Sequence, residues 1–268
     1  MDVLKRALSP NLFDDAGIRR YLFFVSATFW ALIFLAWLGY PAENRYSIMT
    51  HTFSFLGSWE TKHSPHWWWL FTLAMMFWGV TGIPLALYIR RRFSAVSGWG
   101  AWLGAALFLL GFVNIALVGV FPDVKTVLPG NLRMTDIHAR VAVLAAAGFI
   151  LGISWHGLLL LKDWLGATFF GGDRQLARRA FIAPYLFWMS ITGVAAYFLI
   201  KWEFVYAEKK AAAQAAGIPI GSSWSEAMNT RYSFPLWENV LIYMLFIFLV
   251  WFTLILSGEN RRDGSTKR

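Results

Sequence analysis

Residues 99–121 read WGAWLGAALFLLGFVNIALVGVF, a run of 23 residues without one Asp, Glu, Lys, Arg or His. A helix of about 20 apolar residues is long enough to cross the hydrocarbon core of a bilayer. A helix also satisfies its own backbone hydrogen bonds, which water cannot do in that core. This stretch therefore predicts a transmembrane helix, and it indicates the fold class of the rest of the chain.

Five more stretches have the same apolar character. With the first, they give six predicted spans at 21–40, 67–89, 99–121, 139–161, 180–200 and 236–256. The chain of 268 residues is 58% hydrophobic, 18% aromatic and 15% charged, with a mean hydropathy of +0.51. That composition excludes a disordered chain, which needs few aromatic residues and high charge. The sequence predicts an all-α, multi-pass membrane protein built as a bundle of six transmembrane helices.

The basic residues predict the orientation of these spans. Six spans place both termini on one side, which holds 15 of the Lys and Arg residues, and the other side holds 9. Because cytoplasmic loops carry the excess of Lys and Arg, we expect a protein of the cell membrane with both termini in the cytoplasm. The predicted parts are a cytoplasmic segment at 1–20, a transmembrane domain at 21–256 and a disordered cytoplasmic tail at 257–268.

Composition also limits the chemistry. The chain has no Cys, which excludes disulfides, thiolate catalysis and Cys-bound metals. The net charge of +9 comes from residues at the ends of the spans, so we expect no nucleic acid partner. The predicted spans are nearly free of ionisable residues, which disfavours a transporter or channel.

Most of the His residues cluster on the predicted outer side. His is the commonest metal ligand in its neutral form, and carboxylates complete sites for divalent ions. A divalent metal at the outer face is therefore a candidate cofactor, although an ordinary polar loop before a Trp anchor explains the pair at 63 and 66 more simply. The candidate ligands are His51, His63, His66 and His138.

A small set of outer residues could instead carry catalysis. Asp123, Asp136 and His138 are the candidate catalytic residues, with Ser47, Ser54 or Ser58 as a nucleophile. Helix capping is an alternative role for Asp136, since Asp is favoured at that position. Phe121-Pro122-Asp123 also fits a simple helix stop. A shared site requires His51, Asp136 and His138 to converge on one outer pocket.

Aromatic residues recur along the second and sixth spans. We expect them to face outward, toward lipid, a protein partner or a pigment. They are Trp68, Phe71 and Trp78 in the second span and Phe246, Phe248 and Trp251 in the sixth.

Three short motifs resemble a known group of membrane proteins. His51-Thr-Phe-Ser54-Phe-Leu-Gly57 follows the first span, Val118-Gly-Val-Phe121-Pro122-Asp123 ends the third, and Asp136-Ile-His138 opens the fourth. Over roughly residues 47–150 the chain resembles the FRAG/DRAM group of six-helix membrane proteins and its bacterial relatives of unknown function. The resemblance implies a six-helix bundle with cytoplasmic termini and a role in lipid-anchor remodelling or membrane trafficking. The matching positions are Ser54, Gly57, Phe121-Pro122 and His138.

Two functions fit these observations best. The first is a non-enzymatic module that binds membrane lipids or another membrane subunit, with Ser54, Gly57 and Arg140 as candidate contacts. Arg140 could equally extend to the outer headgroups without any specific role. The alternative is an outer-face enzyme that modifies lipids, with or without a metal, through its His and Asp residues. The sequence leaves open whether the protein is an enzyme.

Overall fold

The fold is a bundle of six long helices. The computed structural model describes residues 14–60, 65–173, 175–217, 231 and 233–258. The helices are α1 (Asp15–Leu38), α2 (Trp68–Phe93), α3 (Gly98–Val120), α4 (Met134–Phe169), α5 (Ile182–Ala215) and α6 (Phe234–Ser257). Each contains a stretch long and apolar enough to cross a membrane. The chain is a multi-pass integral membrane protein, and the predicted all-α, six-helix fold is confirmed.

Two helices extend well beyond their predicted spans. The 36 residues of α4 make a rod about 54 Å long, which is longer than the bilayer core. The 34 residues of α5 end at Ala215, and Gly217 follows with a φ of +67°. The sequence 203–217 is rich in Ala, Glu and Lys, which are strong helix formers, so the helix continues past the apolar segment.

Within the described residues, the connections contain little regular structure. Short 3-10 helices cover Ala42–Asn44, Phe53–Gly57 and Arg179–Phe181. Between α3 and α4, β1 (Val127–Leu128) pairs antiparallel with β2 (Leu132–Arg133). The turn between the two strands passes through Gly130 and Asn131, both with positive φ, which Gly and Asn tolerate best.

Neighbouring helices pack in chain order from α1 to α4, and α6 packs against both α1 and α5. The α3–α4 contact brings the two backbones close together. A Cβ atom added at Gly148 would lie 2.4 Å from the backbone nitrogen of Gly111. Small residues at such crossings let two backbones approach closely, which replaces the hydrophobic driving force that lipid does not supply.

Aromatic rings fill the centre of the bundle. Phe29 of α1 stacks on Phe246 of α6 with ring centres 5.1 Å apart, and Trp78 of α2 stacks on Phe149 of α4 at 5.8 Å. Our expectation that the aromatic residues of α2 and α6 face outward is therefore wrong for most of them. Phe71, Trp78, Phe246 and Phe248 are buried. Apolar composition alone does not distinguish rings that pack on helices from rings that face lipid.

The bundle has two polar ends, which we call the terminal face and the distal face. The terminal face contains the start of α1 and the end of α6. There the Tyr88 hydroxyl donates to Asp15 at 2.8 Å, and Arg92 lies 4.0 Å from the same carboxylate. The distal face consists of residues 39–60, residues 121–133 and the starts of α4 and α6.

Candidate functional site

The distal face contains most of the predicted site residues, and His51 lies within its folded loop. Nδ1 of His51 accepts from the Ser47 N–H at 3.2 Å and from the Thr50 hydroxyl at 2.8 Å. Nε2 lies 3.3 Å from the amide oxygen of Asn44, so the neutral tautomer with a proton on Nε2 satisfies all three contacts. Burial lowers the pKa of His51 below its ordinary value, since desolvation disfavours the charged ring.

This loop is fastened to the start of α6 by buried hydrogen bonds. The side-chain amide of Asn239 donates to the carbonyl of His51 at 3.0 Å and accepts from the Tyr46 hydroxyl at 2.8 Å. The Ser233 hydroxyl donates to the carbonyl of Met49. These contacts give the distal loop a fixed position over the helices.

Beside the loop, two carboxylates and a hydroxyl come together. The Ser54 hydroxyl donates to Asp123 at 3.5 Å, a long contact, and the backbone N–H of Phe53 donates to Glu238. Asp123 and Glu238 are close enough to repel each other. Oε2 of Glu238 is buried and has no hydrogen-bond partner within the described residues. The sequence places Glu238 at the outer boundary but gives no signal that would join it to Asp123.

The residues that open α4 do not form a site with His51. Nδ1–H of His138 donates to the carbonyl of Phe121 at 2.7 Å, which fastens the start of α4 to the end of α3. Asp136 is exposed in the first turn of α4, where the helix dipole favours a carboxylate. Arg133 occupies the N-cap position of α4, so Asp136 is not the capping residue. Arg140 is exposed one turn further along.

The predicted metal site is not supported by the described residues. Among them, no three His, Asp or Glu side chains are grouped so that they could hold a metal ion. His51 uses both ring nitrogens within its own loop, and His66 is exposed. His63 lies outside the described residues.

Gly57 has a packing role that the sequence does not reveal. A Cβ atom there would lie 2.4 Å from the ring of Phe71, which fills the space beneath the loop. Gly57 therefore lets the 3-10 helix of the loop rest directly on α2. Lipid contact by Ser54, Gly57 or Arg140 stays a prediction.

A second candidate site lies at the other end of the molecule, between α4 and α5. These two helices leave a cleft of about 790 Å³ between them. The lining is mostly apolar and aromatic, and two Arg residues lie at one end. It comprises Ser154, Gly157, Leu158, Leu160, Leu161, Trp164, Ala177, Arg178, Arg179, Phe181, Ile182, Tyr185, Trp188 and Met189.

One aromatic side chain joins the two helices at the cleft. The Tyr185 hydroxyl donates to the carbonyl of Ile153 at 3.0 Å. Gly157 makes room for this ring, since a Cβ atom there would lie 2.9 Å from it. Tyr185 thus holds α5 near α4 while the lining on either side stays open to the bilayer.

The loop that carries the two Arg residues is held by Asp163, which is buried near the end of α4. Its carboxylate accepts from the backbone N–H groups of Gln175 at 3.0 Å, Leu176 at 2.7 Å and Ala177 at 2.6 Å. A carboxylate that accepts several charge-assisted hydrogen bonds fixes a loop strongly. Arg178 and Arg179 follow directly, so their backbone is fixed beside the cleft.

Sequence reasoning missed this cleft. Its only signals are one acidic residue, Asp163, among the apolar residues at the end of the fourth span, and an Arg pair before the fifth. A scan of protein-family models and searches of curated proteins and solved structures find no match to this chain. The resemblance to the FRAG/DRAM group stays a prediction, and we infer the function from the geometry of the chain itself.

Proposed function

We propose that the protein is a non-enzymatic, lipid-binding module of the membrane, whose cleft between α4 and α5 holds a lipid hydrocarbon chain. The observation that carries this proposal is the cleft itself. Its volume of about 790 Å³ lies within the range of about 300–1,000 Å³ that small-molecule sites occupy. Its lining is mostly apolar, and the Arg pair lies at one end.

The depth of the cleft fits one leaflet. On α4 the lining runs from Ser154 to Trp164, eleven residues whose ends lie about 15 Å apart along the helix. That is half of a hydrocarbon core about 30 Å thick. Trp164 lies at the level where interfacial Trp residues anchor membrane proteins. The cleft thus runs from the headgroup level to about the middle of the bilayer.

The cleft is open to lipid along its length. Leu158, Leu161 and Ile182 line it and keep 56%, 48% and 55% of their surface exposed. In a membrane these surfaces contact acyl chains. A chain that enters the cleft gains contacts on two sides and loses none of its apolar environment.

The excess of Lys and Arg at the terminal face supports a cytoplasmic position for this end, and we propose that the cleft opens to the inner leaflet. The absence of Cys makes the orientation simple to test. Ala95→Cys and Lys125→Cys introduce single thiols at exposed positions of the terminal and distal faces. In intact cells, an impermeant thiol reagent should label the second and leave the first unlabelled. The reverse pattern contradicts the proposed leaflet.

Native mass spectrometry of the detergent-solubilised protein tests lipid binding. The wild type should retain a lipid, and Leu158→Trp should lose it, because the larger ring fills the cleft. Leu151→Trp is the matched control, since Leu151 is 52% exposed and lies two turns earlier on the same helix, outside the cleft. The proposal fails if the wild type retains no lipid or if both variants retain it equally.

An outer-face enzyme is the second candidate, and the contact between Ser54 and Asp123 beside Glu238 is the observation in its favour. None of the contacts described above joins a His ring to the Ser54 hydroxyl. Turnover of a radiolabelled lipid by purified protein, abolished in Asp123→Asn, would support the enzyme. Turnover that persists in this variant would contradict a role for the carboxylate.

A further inference from the structure

The Arg pair at the end of the cleft specifies the class of lipid. We infer that the ligand is an anionic glycerophospholipid whose phosphate binds to Arg178 and Arg179 while one acyl chain occupies the cleft. This inference rests on the proposed lipid-binding function and extends it to the headgroup.

The position of the two guanidinium groups supports a headgroup contact. Both Arg residues line the cleft, and both are exposed. They lie between the end of α4 and the start of α5, at the same end as Trp164. A lipid that placed its chain between the helices would carry its phosphate past this point on the way to water.

The chemistry of the pair matches a phosphate. A guanidinium group donates two parallel hydrogen bonds to phosphate oxygens and is less strongly hydrated than an ammonium group. Two adjacent groups can contact a phosphate from two directions. The side-chain entropy lost on binding is partly offset because Asp163 already fixes the backbone beside them.

Other ligands match only part of the cleft. Inorganic phosphate has no chain to fill the apolar end, and a neutral sterol has no group for the Arg residues. A zwitterionic phospholipid offers a phosphate, but its ammonium group lies next to the same two positive charges. An anionic glycerophospholipid has both the chain and the net negative charge.

The test is a lipid titration of the delipidated full-length protein, followed by native mass spectrometry. Dioleoyl phosphatidylglycerol and dioleoyl phosphatidylcholine have the same chains and differ in headgroup charge. We expect phosphatidylglycerol to bind about tenfold more tightly, since each basic residue near anionic lipid adds several-fold to binding. The double variant Arg178→Gln, Arg179→Gln should bind phosphatidylglycerol as weakly as phosphatidylcholine, and phosphatidylcholine as in the wild type.

Two further variants separate headgroup recognition from net charge and from loop position. Lys125→Gln with Arg133→Gln removes the same charge from exposed positions of the distal face and should keep the preference. Asp163→Asn should reduce the preference with little change in phosphatidylcholine binding, because Asp163 acts as a positioning residue.

The outcomes distinguish the two proposals. Equal binding of both lipids by the wild type, or a preference that survives in the double Arg variant, overturns the headgroup inference and leaves the cleft intact. Failure of both lipids to bind overturns the lipid-binding function and the inference with it. The wild-type comparison needs no substitution, so it remains decisive if a variant does not fold.

Discussion

The distal loop and the cleft between α4 and α5 are opposite solutions to placing polar groups next to a membrane. In the distal loop, His51, Asn239 and Tyr46 bond one another or the backbone, and the loop rests on the helices through Gly57. At the cleft, Asp163 bonds the backbone and the Arg pair points to an open apolar space. The comparison teaches that density of polar residues is a poor guide to a binding site in this chain. The denser region stabilises the fold, and the sparser one has room for a ligand.

The difference between packed and open regions is tested most strongly at two helix glycines. Gly148→Ala should lower the free energy of unfolding by about 3 kcal/mol, because the new methyl group meets the backbone of α3 at 2.4 Å. Gly193→Ala on α5 has nothing within 4 Å and should be neutral or stabilising by about 0.5–1 kcal/mol. Reversible unfolding in mixed detergent micelles measures both. Equal effects would mean that α3–α4 and α5 are packed alike.

The distal loop should depend on Asn239. Asn239→Leu leaves the carbonyl of His51 and the hydroxyl of Tyr46 without their partner in a buried place, at a cost of about 2–3 kcal/mol. Asn114→Leu is the matched control, since the Asn114 side chain makes one bond to its own helix, to Leu110. The same unfolding assay compares them. If Asn239→Leu costs no more than Asn114→Leu, the loop is not held as described.

At the cleft, Asp163 should be the main polar contribution to stability. Asp163→Asn weakens three backbone contacts and should cost about 2 kcal/mol, while Asp173→Asn at an exposed position should cost little. Hydrogen exchange of residues 175–177 gives a local readout, and protection should fall in the first variant alone. Unchanged exchange there would show that the carboxylate does not hold the loop.

His51 gives the smallest expected effect, through pH. Its pKa is lowered in the folded state by burial, so the folded protein binds fewer protons than the unfolded chain. Its contribution is therefore complete above the unfolded pKa of about 6.5 and is lost as the pH falls below that value. Melting temperatures measured from pH 7.5 to 5 should fall less steeply in His51→Gln than in the wild type. His66→Gln, at an exposed position, should follow the wild type.

The sequence predicts where the helices lie much better than it predicts which surfaces pack together. Runs such as 99–121 are recognised as membrane spans from the sequence alone, because few structures other than a membrane helix tolerate so many apolar residues. The extension of α5 past residue 200 also follows from its Ala, Glu and Lys residues. Which side of each helix packs in the core does not follow from the sequence. Both sides of these helices are apolar, so Phe29 in the core and Phe24 at the surface of α1 have the same local signal.

The site residues show the same limit. His51, His138 and Asp123 are correctly predicted to lie at one end of the bundle, but their hydrogen bonds join them to different partners. Glu238 joins Asp123 only through the packing of α6 on the distal loop. The cleft depends on how α4 and α5 pack against each other, which no motif records. Contacts between distant parts of the chain decide each of these outcomes.

Crosslinking with a photoactivatable lipid tests most directly whether the cleft between α4 and α5 holds an acyl chain. Phosphatidylglycerol with a diazirine in the middle of one acyl chain is incorporated into membranes that contain the wild-type protein, and crosslinked peptides are then sequenced. If the cleft holds the acyl chain, modification should concentrate on residues 154–164 and 177–189, the two sides of the cleft. Modification of these residues should fall selectively in Leu158→Trp. Modification spread evenly over the lipid-facing surfaces of all six helices, and unchanged in that variant, would contradict it.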